Sequence, residues 1–120
     1  MPAQVVVVLR EPEIGAQAAA ALQAAGYDAV AIPDSMQALR ALEESTHAQV
    51  LITSVNFELG KPNGLALARM TRMRRPELKV IFTNGPDAEQ HVSRDGMFLP
   101  SPLRPERLAE TVARLMDGQT

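Results

Sequence analysis

The groups in this sequence that could do chemistry are the hydroxyl and amide side chains at the end of one apolar run. Residues 50–52 are apolar and lead into Thr53-Ser54-Val55-Asn56, after which a loop rich in Gly, Pro and Asn spans 60–64. A serine hydroxyl at the end of a strand becomes a nucleophile only when a base stands beside it. Neither histidine adjoins Ser54 in sequence, and no glycine-rich nucleophile elbow or triad spacing surrounds it. This pattern favours a protein that is not an enzyme.

The other polar residues do not form a metal or cofactor pattern. His47 and His91 have no companion at metal-ligand spacing, and the chain has no cysteine. Glu11 and Glu13 suit the first turn of a helix, where acidic side chains offset the helix dipole. Their loop, 10–13, lacks the glycine and hydroxyl residues of a phosphate cradle, so a flavin site is not indicated. We therefore expect neither a metal ion nor a cofactor.

Length, charge and composition limit the class of protein. The 120 residues predict one domain, 1–120, with a single hydrophobic core, and 46% of them are apolar. A net charge of −2 and an aromatic content of 3% give no reason to expect a nucleic-acid partner. No apolar run has the length of a transmembrane helix, and no signal-peptide pattern is present. We expect no membrane partner and a cytoplasmic location.

The elements that must position Ser54 alternate between strand and helix. Five short apolar runs predict strands at 5–9, 27–32, 49–54, 79–83 and 97–99. Helical spacing predicts helices that open at 11–13, 33–35, near 65 and at 105, with Met36 among the candidate inward-facing residues of the second. Such alternation predicts an α/β fold with a parallel sheet and right-handed crossovers. Five strands fit the doubly wound, flavodoxin-like order 2-1-3-4-5, whose ligand site lies at the carboxyl ends of strands 1 and 3.

Several local patterns follow the order and spacing of one protein family. They are 5–14 for the first strand and its acidic loop, 25–27 for the turn into strand 2, 54–56 with 63–69 for strand 3 and helix 3, 80–85 for strand 4, and 98–102 for strand 5. In these segments, and over nearly all of its 120 residues, the chain resembles the CheY-like receiver domain of bacterial response regulators. The resemblance implies the same five-stranded flavodoxin-like fold.

The segment from Thr83 to Ser101 is short for this family. It spans 18 positions, which is less than a typical receiver by about one helical turn. Loop-forming residues at 84–87 and 94–96 leave only 88–93 for a helix. We expect the helix between strands 4 and 5 to be shortened or missing. The family's Lys-Pro bond at this place is commonly cis, and we expect the same of Ser101–Pro102.

The resemblance also implies roles for particular positions, and this sequence lacks the groups that those roles need. Receivers hold a magnesium ion with two acidic residues after strand 1, where this chain has Leu9 and Arg10. The aspartate that takes the phosphoryl group corresponds to Ser54, and the charge-sensing lysine corresponds to Ser101. Asn56 matches a position that contributes only its backbone carbonyl. The resemblance therefore implies a vestigial phosphorylation site with no bound metal.

Three further positions concern signalling. Thr83 and Phe98 match the family's coupled switch pair, in which the hydroxyl moves toward the phosphoryl group and the ring follows inward. Without a phosphoryl group, the pair is either a vestigial switch or simply a strand end and a core residue. Arg107 lies on the last helix, which together with strand 5 is one candidate interaction face. Thr83, Phe98 and Arg107 are the expected residues of that face.

These expectations lead to two hypotheses for function. The first is a non-phosphorylatable pseudo-receiver that acts by protein–protein interaction in a bacterial two-component-type pathway. Its partner would be a sensor histidine kinase, a phosphotransfer protein or an output protein, and a homodimer is an alternative assembly. The second is a small-ligand or anion sensor that uses the remodelled, hydroxyl-rich and cationic site. The basic run at the end of helix 3 is either a solvated helix end or a docking patch; it contains Arg69, Arg72, Arg74 and Arg75.

Overall fold

The structure is a computed structural model that describes residues 4–44, 47–55, 63–83, 96–99 and 104–116. Several sequence predictions fall outside these ranges: the shortened helix between strands 4 and 5, the roles of Asn56 and Ser101, and the cis bond Ser101–Pro102. The other predicted site residues all lie inside the described ranges; they are Leu9, Arg10, Ser54, Thr83, Phe98 and Arg107.

The described residues form one parallel sheet in the predicted order. Its strands are β1 (Val5–Val8), β2 (Ala29–Ala31), β3 (Val50–Ser54), β4 (Lys79–Thr83) and β5 (Met97–Phe98), arranged as β2-β1-β3-β4-β5. The helices in these ranges are α1 (Pro12–Ala24), α2 (Ser35–Glu44), α3 (Gly64–Arg72) and α4 (Pro105–Met116). None of these helices is both long and apolar enough to cross a membrane. The predicted flavodoxin-like fold class and strand order are confirmed.

The sheet is covered on both faces, and successive side chains of each strand alternate between two apolar layers. Val5, Val7 and Leu9 pack in the layer that contains residues of α1 and α4, which we call the α1–α4 face. Val6 and Val8 pack in the layer that contains residues of α2 and α3, the α2–α3 face. Every residue of β1 is buried, which explains why this run of valines shows no polar alternation.

The start of α3 is fixed against the end of β3. Asn63 caps the helix, because its side-chain oxygen accepts a hydrogen bond from the Ala66 N–H at 2.8 Å. The N–H of Gly64 donates to the Val55 carbonyl oxygen, also at 2.8 Å. A Cβ atom at position 64 would clash with the Ser54 carbonyl oxygen, so glycine is needed for the helix to approach the strand this closely. The helix start therefore fixes the backbone at Ser54.

The inward face of α2 differs from the sequence prediction at one residue. The buried residues are Ser35, Ala38, Leu39 and Leu42, whereas Met36 is 43% exposed. The prediction that Met36 faces the core was wrong. Residues 35, 38, 39 and 42 form a stripe at helical spacing, and Met36 lies about 100° around the helix from Ser35.

Candidate functional site

Ser54 is the last residue of β3 and its side chain is fully buried. Its side-chain oxygen accepts a hydrogen bond from the backbone N–H of Arg10, 2.9 Å away. On the other side of the backbone, Thr53 Oγ1 donates to the Ser54 carbonyl oxygen at 2.9 Å. The register pairs Val8 with Thr53, so the bond to Arg10 lies just beyond the ladder between β1 and β3. The carboxyl ends of β1 and β3 are therefore joined through Ser54.

Leu9 is part of the apolar core at this edge of the sheet. It is 2% exposed and packs on the α1–α4 face. Beside it lies a small cavity of about 140 Å³ whose lining includes Val7, Pro12, Gly15 and Ala31. An apolar side chain in an apolar environment cannot polarise water or hold an ion. Position 9, where the resemblance implies a metal-binding acidic residue, is therefore occupied by an apolar residue of the core.

A magnesium ion does not fit the side chains described at this edge. Mg²⁺ takes oxygen ligands, usually one or two carboxylates with several waters. Leu9 offers no oxygen, Ser54 carries only a neutral hydroxyl, and Arg10 has a positively charged side chain that cannot serve as a ligand. Glu11 and Glu13 are exposed on the first turn of α1 or just before it. Within the described ranges, no group of three or more His, Asp or Glu side chains is arranged to hold a metal.

Thr83 ends β4 directly beside Ser54. The two residues are partners in the register of β3 and β4, and both are fully buried. Because parallel strands lie about 4.8 Å apart and paired residues point to the same face, the two hydroxyls are neighbours on the α1–α4 face. Thr83 Oγ1 has no hydrogen-bond partner in the described part of the chain. An unpartnered buried hydroxyl costs about 1–3 kcal/mol, so this group is either a source of instability or a place for a ligand or water.

Phe98 does not share a face with Thr83. It pairs with Phe82 in the register of β4 and β5 and packs in the layer of the α2–α3 face. Thr83 follows Phe82 and therefore points to the opposite face. The N–H of Leu99 donates to the Phe82 carbonyl oxygen at 2.8 Å, which fixes the end of β5. The predicted switch pair is thus separated by the sheet, and any coupling between its two side chains would have to pass through the strands.

Arg107 and the side chain of Arg10 lie outside the buried site. Both residues are exposed, Arg107 in the first turn of α4 and Arg10 after β1. The carbonyl oxygen of Arg107 accepts a hydrogen bond from Thr111 Oγ1, one turn later in α4, at 2.9 Å. The structure thus brings Leu9, Ser54 and Thr83 together in the core, with the Arg10 backbone, and leaves Arg107 on the surface.

Comparison with known proteins identifies the fold. No protein-family model matches the sequence. The structure aligns with NtrX from Brucella abortus in complex with ATP at a TM-score of 0.83 and 25% identity, covering 98% of this chain and 28% of NtrX. It aligns with a CheY-like response regulator receiver domain protein from Methanospirillum hungatei at a TM-score of 0.85 and 16% identity, covering 99% and 97% of the two chains. This chain has the receiver fold.

The receiver fold accounts for the whole described sheet. The isolated receiver domain of NtrX aligns at a TM-score of 0.82 and 22% identity, covering 94% of this chain and 98% of that domain. The chain spans only 28% of the longer NtrX protein, so the likeness is to its receiver domain and not to the whole molecule. The resemblance to CheY-like receivers found in the sequence is confirmed for the fold.

Sequence reasoning missed two residues that shape this site. Thr53 holds the Ser54 carbonyl from the α2–α3 face, and Gly64 allows α3 to approach it. A partial signal was present, because Asn63 is a favourable helix-capping residue and its position makes Gly64 the first residue of α3. The partner of Thr53 could not be read from the sequence, because strand threonines do not reveal which oxygen they bond.

Proposed function

We propose that this chain is a receiver-like signalling module that is not phosphorylated and that acts by binding other proteins in a two-component-type pathway. The observation that carries the proposal is the state of the site where receivers carry an acidic cluster. Ser54 is buried and bonded to the Arg10 N–H, and Leu9 beside it is core. The receiver fold supports the signalling role, and the chemistry of these side chains supports the loss of phosphorylation.

The chemical argument concerns the acceptor and its charge partners. Phosphoryl transfer to a receiver needs an ionised carboxylate as nucleophile and cations that neutralise the transferring oxygens. Ser54 supplies a neutral hydroxyl whose oxygen already accepts a hydrogen bond at 2.9 Å. The described edge holds no carboxylate pair for a metal. We therefore propose that both aspartyl phosphorylation and its reversal are absent, and that the chain is not an enzyme.

The proposed partners are a sensor histidine kinase, a phosphotransfer protein or an output protein in the bacterial cytoplasm, with a homodimer as an alternative assembly. One proposed binding surface is the face formed by β5 and α4, which includes Phe98 and Arg107. The other is the outer side of α1. Phe98 is half-buried and Arg107 is exposed, so both are within reach of a partner. A module of this kind would bind its partner equally well with and without a phosphodonor.

Phosphorylation is tested by mass spectrometry after incubation with acetyl phosphate and magnesium. The matched control is the variant Leu9→Asp, Arg10→Asp, Ser54→Asp, which restores all three carboxylates at once, after its folding is checked by circular dichroism. We expect no added phosphoryl mass on the native chain. A stable phosphoryl adduct on the native chain, abolished by Ser54→Ala, would refute the proposal.

Binding is tested by pull-down of a kinase or output protein. The native chain is compared with the double variant Phe98→Ala, Arg107→Glu, and a loss of recovery with the variant is expected if the partner binds the face formed by β5 and α4. Equal recovery of the partner by both proteins would instead place the binding surface on α1.

A second function is favoured by one specific observation, the unpartnered hydroxyl of Thr83. Thr83 and Ser54 place two buried hydroxyls next to the Arg10 backbone, and Arg10 carries a positive charge on its exposed side chain. This arrangement supports a small-ligand or anion sensor at the vestigial site. Titration with inorganic phosphate or sulfate, followed by thermal unfolding, tests it: a stabilisation that Thr83→Val removes would favour the sensor, and an unchanged melting temperature would exclude these two anions as its ligands.

A further inference from the structure

A cleft of about 540 Å³ opens at the amino ends of β3 and β4, the edge of the sheet opposite Ser54. Its described walls come from three separate parts of the chain: residues 47–49 just before β3, residues 75 and 77–79 before and at the start of β4, and the last turn of α4. The volume falls in the range of small-molecule sites, roughly 300–1,000 Å³. None of its described lining residues belongs to the proposed vestigial phosphorylation site.

The lining of this amino-edge cleft combines an apolar wall with charged groups. Leu78 and Leu115 are 2% and 5% exposed, and with Met116 they form the apolar wall. Arg75 and Lys79 supply two positive charges, and Glu77 supplies one negative charge. An apolar surface with a small number of charged groups is typical of sites that bind small molecules. The excess of positive charge favours an anion.

Arg75 gives independent evidence for an anionic ligand. Its Nη1 atom is inaccessible to solvent and has no hydrogen-bond partner among the described residues. A buried guanidinium nitrogen without an acceptor is costly, and its strongest acceptors are carboxylate and phosphate oxygens. The rest of the residue is half-buried and lines the cleft. Arg75 is therefore a charged group of the cleft lining whose hydrogen-bonding capacity is not fully used among the described residues.

The backbone that carries these charges is held in place. The Arg75 N–H donates to the Thr71 carbonyl at 3.1 Å, and the Arg75 carbonyl accepts from the Leu78 N–H at 3.1 Å. The Lys79 N–H donates to the Gln49 carbonyl at 3.0 Å, which joins the two strand starts. The backbone positions of Arg75 and Lys79 are therefore fixed before a ligand binds, and binding has to order only their side chains.

We propose that the amino-edge cleft binds a small organic carboxylate with an apolar body. The carboxylate lies between Arg75 and Lys79, and the apolar body lies against Leu78, Leu115 and Met116. Glu77 opposes the negative charge and keeps the affinity modest. The site is separate from the vestigial one, so the inference does not depend on whether the chain is phosphorylated.

The experiment is a titration with benzoate followed by amide chemical shifts in ¹H–¹⁵N NMR spectra, with benzyl alcohol as the neutral probe of the same shape. We expect benzoate to bind with a dissociation constant of about 1 mM or below, and benzyl alcohol to bind more weakly. The shifts should concentrate at 47–49, 75–79 and 115–116. Inorganic phosphate, which has the charge without the apolar body, should also bind more weakly than benzoate.

Substitutions that remove a charge but keep the side chain's approximate size distinguish a specific binding site from non-specific attraction to the surface. Arg75→Gln should weaken benzoate binding by about tenfold or more. Glu77→Gln should strengthen it by about two- to fivefold, because it removes the opposing charge. Arg40→Gln, on the exposed side of α2, is the matched control and should change nothing. Lys79→Gln provides a second loss-of-charge variant if Arg75→Gln does not fold.

Three results would overturn the proposal. The first is an absence of shifts at the cleft when benzoate is added. The second is equal binding of benzoate and benzyl alcohol, which would mean that the charges play no part. The third is equal weakening by Arg75→Gln and Arg40→Gln, which would indicate non-specific attraction to the surface. Loss of phosphorylation and benzoate binding are measured separately, so failure here leaves the proposed signalling function intact.

Discussion

Two buried hydroxyls lie side by side at the carboxyl edge of the sheet, and removing them should change stability in opposite directions. Ser54 Oγ accepts the Arg10 N–H at 2.9 Å, whereas Thr83 Oγ1 has no partner among the described residues. Ser54→Ala leaves the Arg10 N–H without its acceptor, so the free energy of unfolding should fall by about 1 kcal/mol. Thr83→Val keeps nearly the same shape and removes a desolvated, unpaired hydroxyl, so it should raise that free energy by about 1 kcal/mol.

The assay is urea denaturation of the native chain and the two variants, with the midpoint compared at an unchanged m-value. For a domain of this size, 1 kcal/mol corresponds to a melting-temperature change of roughly 4 °C. Both side chains are fully buried, so a difference in solvent exposure cannot explain why one substitution lowers the free energy of unfolding and the other raises it. If Thr83→Val destabilises the protein as much as Ser54→Ala does, Thr83 has a partner in solution, and the reasoning from its isolated hydroxyl is wrong.

Three other predictions concern packing around the same edge. Gly64→Ala should destabilise the protein by about 1–3 kcal/mol because its Cβ would clash with the Ser54 carbonyl. Gly15→Ala is the matched control, since its Cβ would meet Leu9 Cβ at an ordinary 3.7 Å. This control should be neutral or should stabilise the protein by up to about 1 kcal/mol. Leu9→Asp should cost about 3 kcal/mol or more, whereas Leu9→Met should cost less than about 1.5 kcal/mol; equal losses would show that position 9 is open to water. Asn63→Ala should cost about 1 kcal/mol through loss of its bond to the Ala66 N–H, and no loss in thermal unfolding would mean that the cap is not formed.

The sequence predicted the fold well because the signals for it are local. Five apolar runs alternating with helical spacing determine a parallel sheet, and the uninterrupted valines of β1 show that this strand is covered on both faces. Met36 was predicted to belong to the inward-facing stripe of α2, but Asp34 accepts its N–H at 3.3 Å and the buried stripe begins at Ser35. An apolar side chain on a helix is a candidate for burial, but its angular position around the helix axis determines whether it faces the core.

The residues of the candidate site could be named from the sequence, but the contacts between them could not. The identities of Leu9 and Ser54 are visible in the sequence, and they already argue against a metal-assisted acceptor. The hydrogen bond from Arg10 to Ser54 joins residues 44 positions apart, and the separation of Thr83 from Phe98 depends on strand register. The amino-edge cleft draws on three distant segments, which only the folded chain brings together.

The two edges of the sheet differ in what their side chains leave available for binding. At the carboxyl edge, the described side chains include a core leucine, Leu9, and a serine, Ser54, whose oxygen already accepts a hydrogen bond. At the amino edge, Arg75 Nη1 is a buried donor without a described acceptor beside an open cleft. Ligands of α/β folds usually bind at the carboxyl ends of strands, so a site at the opposite edge would be an addition to the receiver fold rather than a remnant of it. Chemical-shift changes at 75–79 on addition of benzoate, with none near Ser54, would establish a ligand site at the amino edge of the sheet. Changes near Ser54 alone would place the ligand site at the carboxyl edge instead.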